Sequence, residues 1–201
     1  MPDMPVRSFL AIPADPDWNE SAGAFIETLR LSEPEACWTR PSSWHLTLKF
    51  LGDATRAAID EFARRVEPVA ASLPPVMLAA AGPAVFPARG PVRVLGIALG
   101  PVETVDRLTV LVHASEDEAR RLGLTQEAHP FRPHVTLARV RGQWPSAAVA
   151  RFRERAACWH FPVWRARSCV LYESRLERAG AVHIPLVEWT FREAGMAMVS
   201  R

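Results

Sequence analysis

Apolar positions along this chain switch several times between a spacing of two and a spacing near 3.6, and the switches mark its elements. "VRSFLAIP" is short, apolar and closed by proline, which predicts a buried N-terminal strand. Trp18, Ala22, Phe25 and Leu29 then share one helical stripe that is expected to stop before Pro34. "WHLTLKFLG" is rich in strand formers, and Gly52-Asp53 is read as its closing turn and as the N-cap of the next segment. Ile59, Phe62, Ala63, Val66 and Ala70 form the apolar stripe of that second helix.

Prolines 74, 75, 83, 87 and 91 exclude a helix from the region they punctuate, so "VMLAAAGPAVF" is read as one strand followed by an exposed loop. "VRVLGIAL" predicts a further strand, and Val105, Leu108, Val112, Ala119 and Leu122 a third helix ending near Gly123. "HVTLARV" is again a strand and "SAAVARFRERA" a shorter helix. "RARSCVLYESRL" and "AVHIPLVEWTF" are read as two strands joined around Ala179-Gly180. The order predicts an α+β domain over residues 1–201, with two similar lobes related by an approximate two-fold and no linker that separates them.

One pattern occurs twice. His45-Leu46-Thr47-Leu48 and His134-Val135-Thr136-Leu137 both read His, apolar, Thr, apolar, and a shuffled chain of this composition would hold on the order of 0.06 copies. In a strand, alternate side chains share a face, so each motif sets an imidazole beside a hydroxyl and anchors both from behind with two aliphatic residues. A lone histidine on a strand is more often an ordinary polar residue than a catalytic one. Its duplication at equivalent places in two half-repeats weakens that reading. One imidazole can accept a proton while the other donates one, and hydroxyls can hold phosphate oxygens without adding charge. No third ligand stands at a metal-binding spacing from either motif, so no metal is expected.

Arg132 lies two residues before His134, on its face if the strand has already begun at Arg132, a register that Pro133 disfavours. Arg139 lies five residues after His134, an odd offset that puts it on the opposite face unless the strand is bulged. Trp44 and Phe50 flank the first motif as candidates to stack on a base or to join the core. Tyr172 and Ser174 are candidates to line the same groove. His113, His160 and His183 are read as structural or exposed.

The bulk composition narrows this picture a little. At 49% hydrophobic, 23% charged and a net charge of +2, the chain is globular and too weakly basic to coat nucleic acid along its length. Arginine supplies nearly all the cations, Lys49 being the one lysine. Cys37, Cys158 and Cys169 show neither close spacing nor an even count, which points to a reducing compartment. The apolar run "FLAIP" is too short for a signal segment and no stretch approaches a membrane span, so a cytoplasmic, soluble protein is expected.

With both motifs in view, the sequence resembles the 2H phosphoesterase superfamily. Within it, "PSSWHLTLKFLG" and "PFRPHVTLARV" resemble the RNA 2′,3′-cyclic phosphodiesterases, also known as 2′-5′ RNA ligases. "RSFLAIP" and "VLYESRL…AVHIPL" fall in the family's order, so the likeness runs along almost the whole chain. It implies two antiparallel sheets around a central groove with helices outside, and His45, Thr47, His134 and Thr136 facing one another. It implies metal-independent, cofactor-free hydrolysis of a terminal ribose 2′,3′-cyclic phosphate to a 2′-phosphate. His134 is expected as general base and His45 as the acid that protonates the departing O3′, with exchanged roles left open.

Thr47, Thr136, Arg139 and Arg132 are expected at the phosphate, and Phe50 and Tyr172 along the substrate. RNA 3′ ends or small cyclic nucleotides are the expected partners of a monomer that does not bind membranes. His129 departs from the family by standing where another basic residue is common, and "REAGMAMVSR" matches no pattern. Rival readings are a 2′-5′ ligase or 2′,5′-oligonucleotide phosphodiesterase using the same site, a non-catalytic binder of RNA ends, and a metal-dependent hydrolase.

Overall fold

The computed structural model describes residues 4–30, 32–33, 36–140, 142, 144–177 and 180–192. Its elements run β1 (Val6–Pro13), α1 (Pro16–Arg30), β2 (Ala36–Trp38), a 3₁₀ turn (Pro41–Ser43), β3 (His45–Ala54), α2 (Arg56–Ser72), β4 (Val76–Phe86), β5 (Val94–Gly100), α3 (Val102–Arg121), β6 (His134–Val140), α4 (Ser146–Cys158), β7 (Trp164–Ala166), β8 (Ser168–Glu177) and β9 (Gly180–Thr190). The Asp15 carboxylate starts α1 by accepting from the Trp18 N–H at 2.8 Å. The predicted stop, Pro34, lies outside the described residues, as do Ala179 of the last hairpin and positions 193–201. The second helix is capped by Thr55, whose hydroxyl accepts from Ala58 N, and not by Asp53, because β3 continues to Ala54.

The sequence reading implied two separate sheets, one for each half of the chain. Instead a single nine-stranded antiparallel sheet runs β7-β4-β5-β6-β3-β1-β8-β9, with β2 added on β6. The order is symmetric about the β6–β3 seam, four strands to a side, and each side is led by one histidine motif. The two sides do not coincide with the two halves of the chain, since the C-terminal hairpin β8–β9 returns to pair with β1. The stretch "RARSCVLYESRL" also divides: β7 pairs with β4 on one side, and β8 begins after Arg167 on the other.

The helices cover one face of this curled sheet. α2 packs on α3 and β9, α3 on β3, and α4 on β4. Trp18 of α1 stacks on Phe161, and Phe25 meets Phe152 of α4 edge-on, which locks α1 to α4. Arg151 reaches from α4 to the buried Glu33 carboxylate at 2.6 Å, so that charge enters the core paired. Leu46, Leu48, Val135 and Leu137 face the helices and are buried, as the alternation predicted.

Lys49 is buried as well, an unusual place for the chain's one lysine. Its Nζ donates to Thr125 O at 2.6 Å and pairs with Glu116 at 2.6 Å. Thr125 opens the segment that leads to β6, so this ammonium ties the first motif's strand to the approach of the second. Gly96 of β5 makes another close approach. A Cβ there would lie 2.2 Å from Val135 O, between His134 and Thr136. Lys49→Met, which strands the Glu116 carboxylate and the Thr125 carbonyl, is expected to cost about 3 kcal/mol in urea unfolding. Gly96→Ala is expected to cost about 2 kcal/mol by pushing β6 aside.

Candidate functional site

Both histidine motifs lie at the seam, where β3 and β6 share a single ladder pair, Leu46 with Val135. From each histidine onward, burial takes the same course. The histidine and the threonine are half-buried on the face away from the helices, the second and fourth residues are buried, and so is the fifth. Two buried residues in succession break the period of two, and the register gives the cause. Opposite β1, Lys49 pairs with Leu10 and Thr47 with Ala11, leaving Leu48 extra. Opposite β5, Ala138 pairs with Leu95 and Thr136 with Gly96, leaving Leu137 extra. Each motif therefore carries a β-bulge at its fourth residue, and each bulge reverses the facing of the residues beyond it.

That reversal places Phe50 and Arg139, the sixth residues of the two motifs, on the same face as the imidazoles. The odd offset of Arg139 is thereby reconciled with a place in the groove, where its charge acts on both His45 and His134. The carbonyl freed by the bulge at Leu137 is not left bare. Thr39 donates to it from its backbone N–H and from its hydroxyl, both at 2.8 Å, and accepts in turn from the Trp44 indole at 2.7 Å. Trp44 is thus a buried anchor beneath His45 and takes no part in the groove surface, whereas Phe50 is exposed there.

The two imidazoles are held alike. His45 Nδ1 lies 2.6 Å from Ser43 O, and His134 Nδ1 lies 2.7 Å from Arg132 O, in each case the carbonyl two residues before. A carbonyl only accepts, so Nδ1 carries the proton and Nε2 is the nitrogen left for chemistry. Arg132 serves the site through this carbonyl, while its side chain is exposed at the mouth.

Aromatic rings complete the walls. Phe9 lies against His45 at 4.8 Å between ring centres and stacks on Tyr172 at 5.3 Å, while Phe86 lies 4.7 Å from His134. Burial among these rings pushes His45 down to about 4, helped by the positive charges of His183, Arg139 and His134 and opposed by the Ser43 carbonyl. Burial also lowers His134, with Arg139 adding to the effect. Tyr172 is held above the usual phenol range by burial and by Glu188.

His183, read from the sequence as structural or exposed, packs into this wall. Its ring stands 5.2 Å from His45 and perpendicular to it, and 4.8 Å from Phe9. The signal was the hairpin register, which sets His183 opposite Ser174 and so two residues from Tyr172 along the groove. Phe9 and Phe86 were passed over in the same way, since neither belongs to a repeated pattern. Among the described residues no three His, Cys, Asp or Glu side chains converge as metal ligands, and no helix is long and apolar enough to cross a membrane.

Comparison with known proteins gives this geometry a lineage. The chain is 28% identical over 171 residues to an RNA 2′,3′-cyclic phosphodiesterase of Geobacillus stearothermophilus, covering 85% of this chain and 52% of that one. It therefore spans about half the length of that relative. The enzyme of the same name from Thermotoga maritima is 29% identical over 136 residues, 68% of this chain and 71% of that one. Among solved structures, a Thermus thermophilus protein superposes with a TM-score of 0.73 at 24% identity, covering 94% of this chain and 99% of that one. Escherichia coli LigT in complex with 3′-AMP superposes with a TM-score of 0.71 at 22% identity over the same shares. The sequence profile of the 2′-5′ RNA ligase superfamily matches residues 14–172, most of the described sheet and both histidine motifs, and the chain belongs to that superfamily.

Proposed function

We propose that this protein opens the terminal 2′,3′-cyclic phosphate of RNA to a 2′-phosphate, using His45 and His134 as an acid/base pair without a metal. The observation that carries this reading is the paired anchoring of the two Nδ1 atoms, which leaves two Nε2 atoms at one seam with Arg139 acting on both. The relatives named as RNA 2′,3′-cyclic phosphodiesterases and the nucleotide-bound LigT structure support it.

In the proposed reaction His134 Nε2 takes a proton from the attacking water as the new P–O bond forms. The P–O3′ bond breaks, and protonated His45 Nε2 gives its proton to O3′. Burial depresses His45 the more strongly, so that imidazole, once protonated, is the stronger acid, and the less depressed His134 the stronger base. Thr47 and Thr136 donate to the non-bridging oxygens, Arg139 offsets charge gained by the phosphate, and Arg132 meets the RNA backbone at the mouth. Phe50 and Tyr172 offer faces to the nucleoside.

Given RNA ending in a 2′,3′-cyclic phosphate, in EDTA, the protein is expected to yield only the 2′-phosphate. His45→Ala and His134→Ala should each lower turnover by about 10³-fold or more while keeping the thermal transition. Formation of the 3′-phosphate, or turnover surviving both substitutions, would overturn the reading. A substrate with an activated aryl leaving group separates the roles: it should restore His45→Ala, which lacks the acid, and leave His134→Ala slow. A third expectation concerns stability. The unfolded chain protonates His45 near 6.5 and the folded chain near 4, so stability is full above about pH 6.5 and falls as the pH drops toward 4. The loss is about 3 kcal/mol, and thermal melts of His45→Asn, which keeps a donor for Ser43 O, should lack that component.

A further inference from the structure

The two histidines are built as near copies. They share a motif, a bulge, a burial course and a Nδ1 anchor, and the strand order around them is symmetric. Copies in equal surroundings would hold a proton equally well, yet acid/base work needs them unequal. Each has an aromatic ring close by: Phe9 at 4.8 Å from His45, and Phe86 at 4.7 Å from His134. Among the described residues, only His45 has a second imidazole against its ring. His183 of β9 stands 5.2 Å away at 88°, touches Phe9 at 4.8 Å, and has its Nδ1 buried without a hydrogen-bond partner among the described residues.

We propose that His183 is the positioning residue that makes the pair unequal: it closes the wall around His45 and weakens that imidazole's hold on a proton relative to His134. The proposal rests on the two-histidine reading above. Its physical content is a volume and a charge. As a ring, His183 keeps water from the His45 imidazole. When it carries a proton, it repels one on His45.

The ionisable groups acting on His45 come from β9 (His183) and from β6 (Arg139 and His134). β1 contributes Phe9, and β8 contributes Tyr172, 6.1 Å from His183, with Glu188 acting on its phenol. The Ser43 carbonyl pulls the other way. Arg139 bears on both imidazoles, whereas His183 acts on His45 and not on His134.

The test is an NMR titration of the His45 and His134 imidazoles in the ligand-free full chain, comparing wild type, His183→Gln and His183→Phe. His183→Gln admits water and removes the charge, and is expected to raise the His45 midpoint by about one unit. His183→Phe keeps the volume and removes only the charge, and should raise it by about half a unit. In both variants the His134 midpoint stays put, and the acid limb of kcat/KM on cyclic-phosphate RNA moves with His45. A His45 midpoint unchanged in both variants, or a His134 midpoint that moves equally, overturns the proposal. The titrations need no substrate, so they stand or fall separately from turnover on the cyclic phosphate.

Discussion

A single backbone pair, Leu46 with Val135, joins the two sides of the sheet, and the site depends on how little pairing there is at that seam. A full ladder between β3 and β6 would bring the strands flat together and leave no cleft between the side chains above it. With one pair the strands meet and then diverge, each turning to its outer neighbour, β1 or β5. The bulges at Leu48 and Leu137 increase the local twist just beyond the meeting point. The histidine and threonine of each motif precede the bulge and the sixth residue comes after it, so three side chains of each strand face the cleft.

Such a seam needs support elsewhere. Thr39 holds the freed Leu137 carbonyl, and the buried Lys49 holds Thr125, the first fixed point on the way to His134. Two apolar residues would fill the space of Lys49 and Glu116 at lower desolvation cost, but would not grip a backbone carbonyl. The ion pair thus secures position more than it secures stability. The depressed imidazoles show the same preference: the fold accepts a groove in which protons are hard to hold so that the groups holding them stay in place.

The histidine motifs, the helices and most strands were legible in the sequence because they rest on periodicity and on local chemistry: Trp18 to Leu29, or the alternation from His45 to Leu48. The facing of Arg139 was not, because a bulge adds one residue without any residue type that announces it. The same break in period inside "TLKF" put Lys49 where alternation alone would have set a groove residue. His183 was missed for a different reason. It stands alone in its strand, and it meets His45 only across β8 and β1, a fact of sheet order and not of spacing. Division of the sheet into one half per lobe failed because β8 and β9 return to β1, a non-local pairing that sequence patterns do not encode.

The carbonyl anchors at Ser43 and Arg132 have a kinetic consequence. With Nδ1 committed to a carbonyl, neither ring can turn over to present its other nitrogen, so every proton arrives and departs at Nε2. Under the proposed chemistry, one turnover ends with the proton moved from one imidazole to the other, and that is the arrangement from which the reverse reaction starts. The free protein then exists as two protonation isomers, one competent for opening a ring and one for closing it. Their interconversion through solvent is a separate step that the fold cannot shorten by a ring flip.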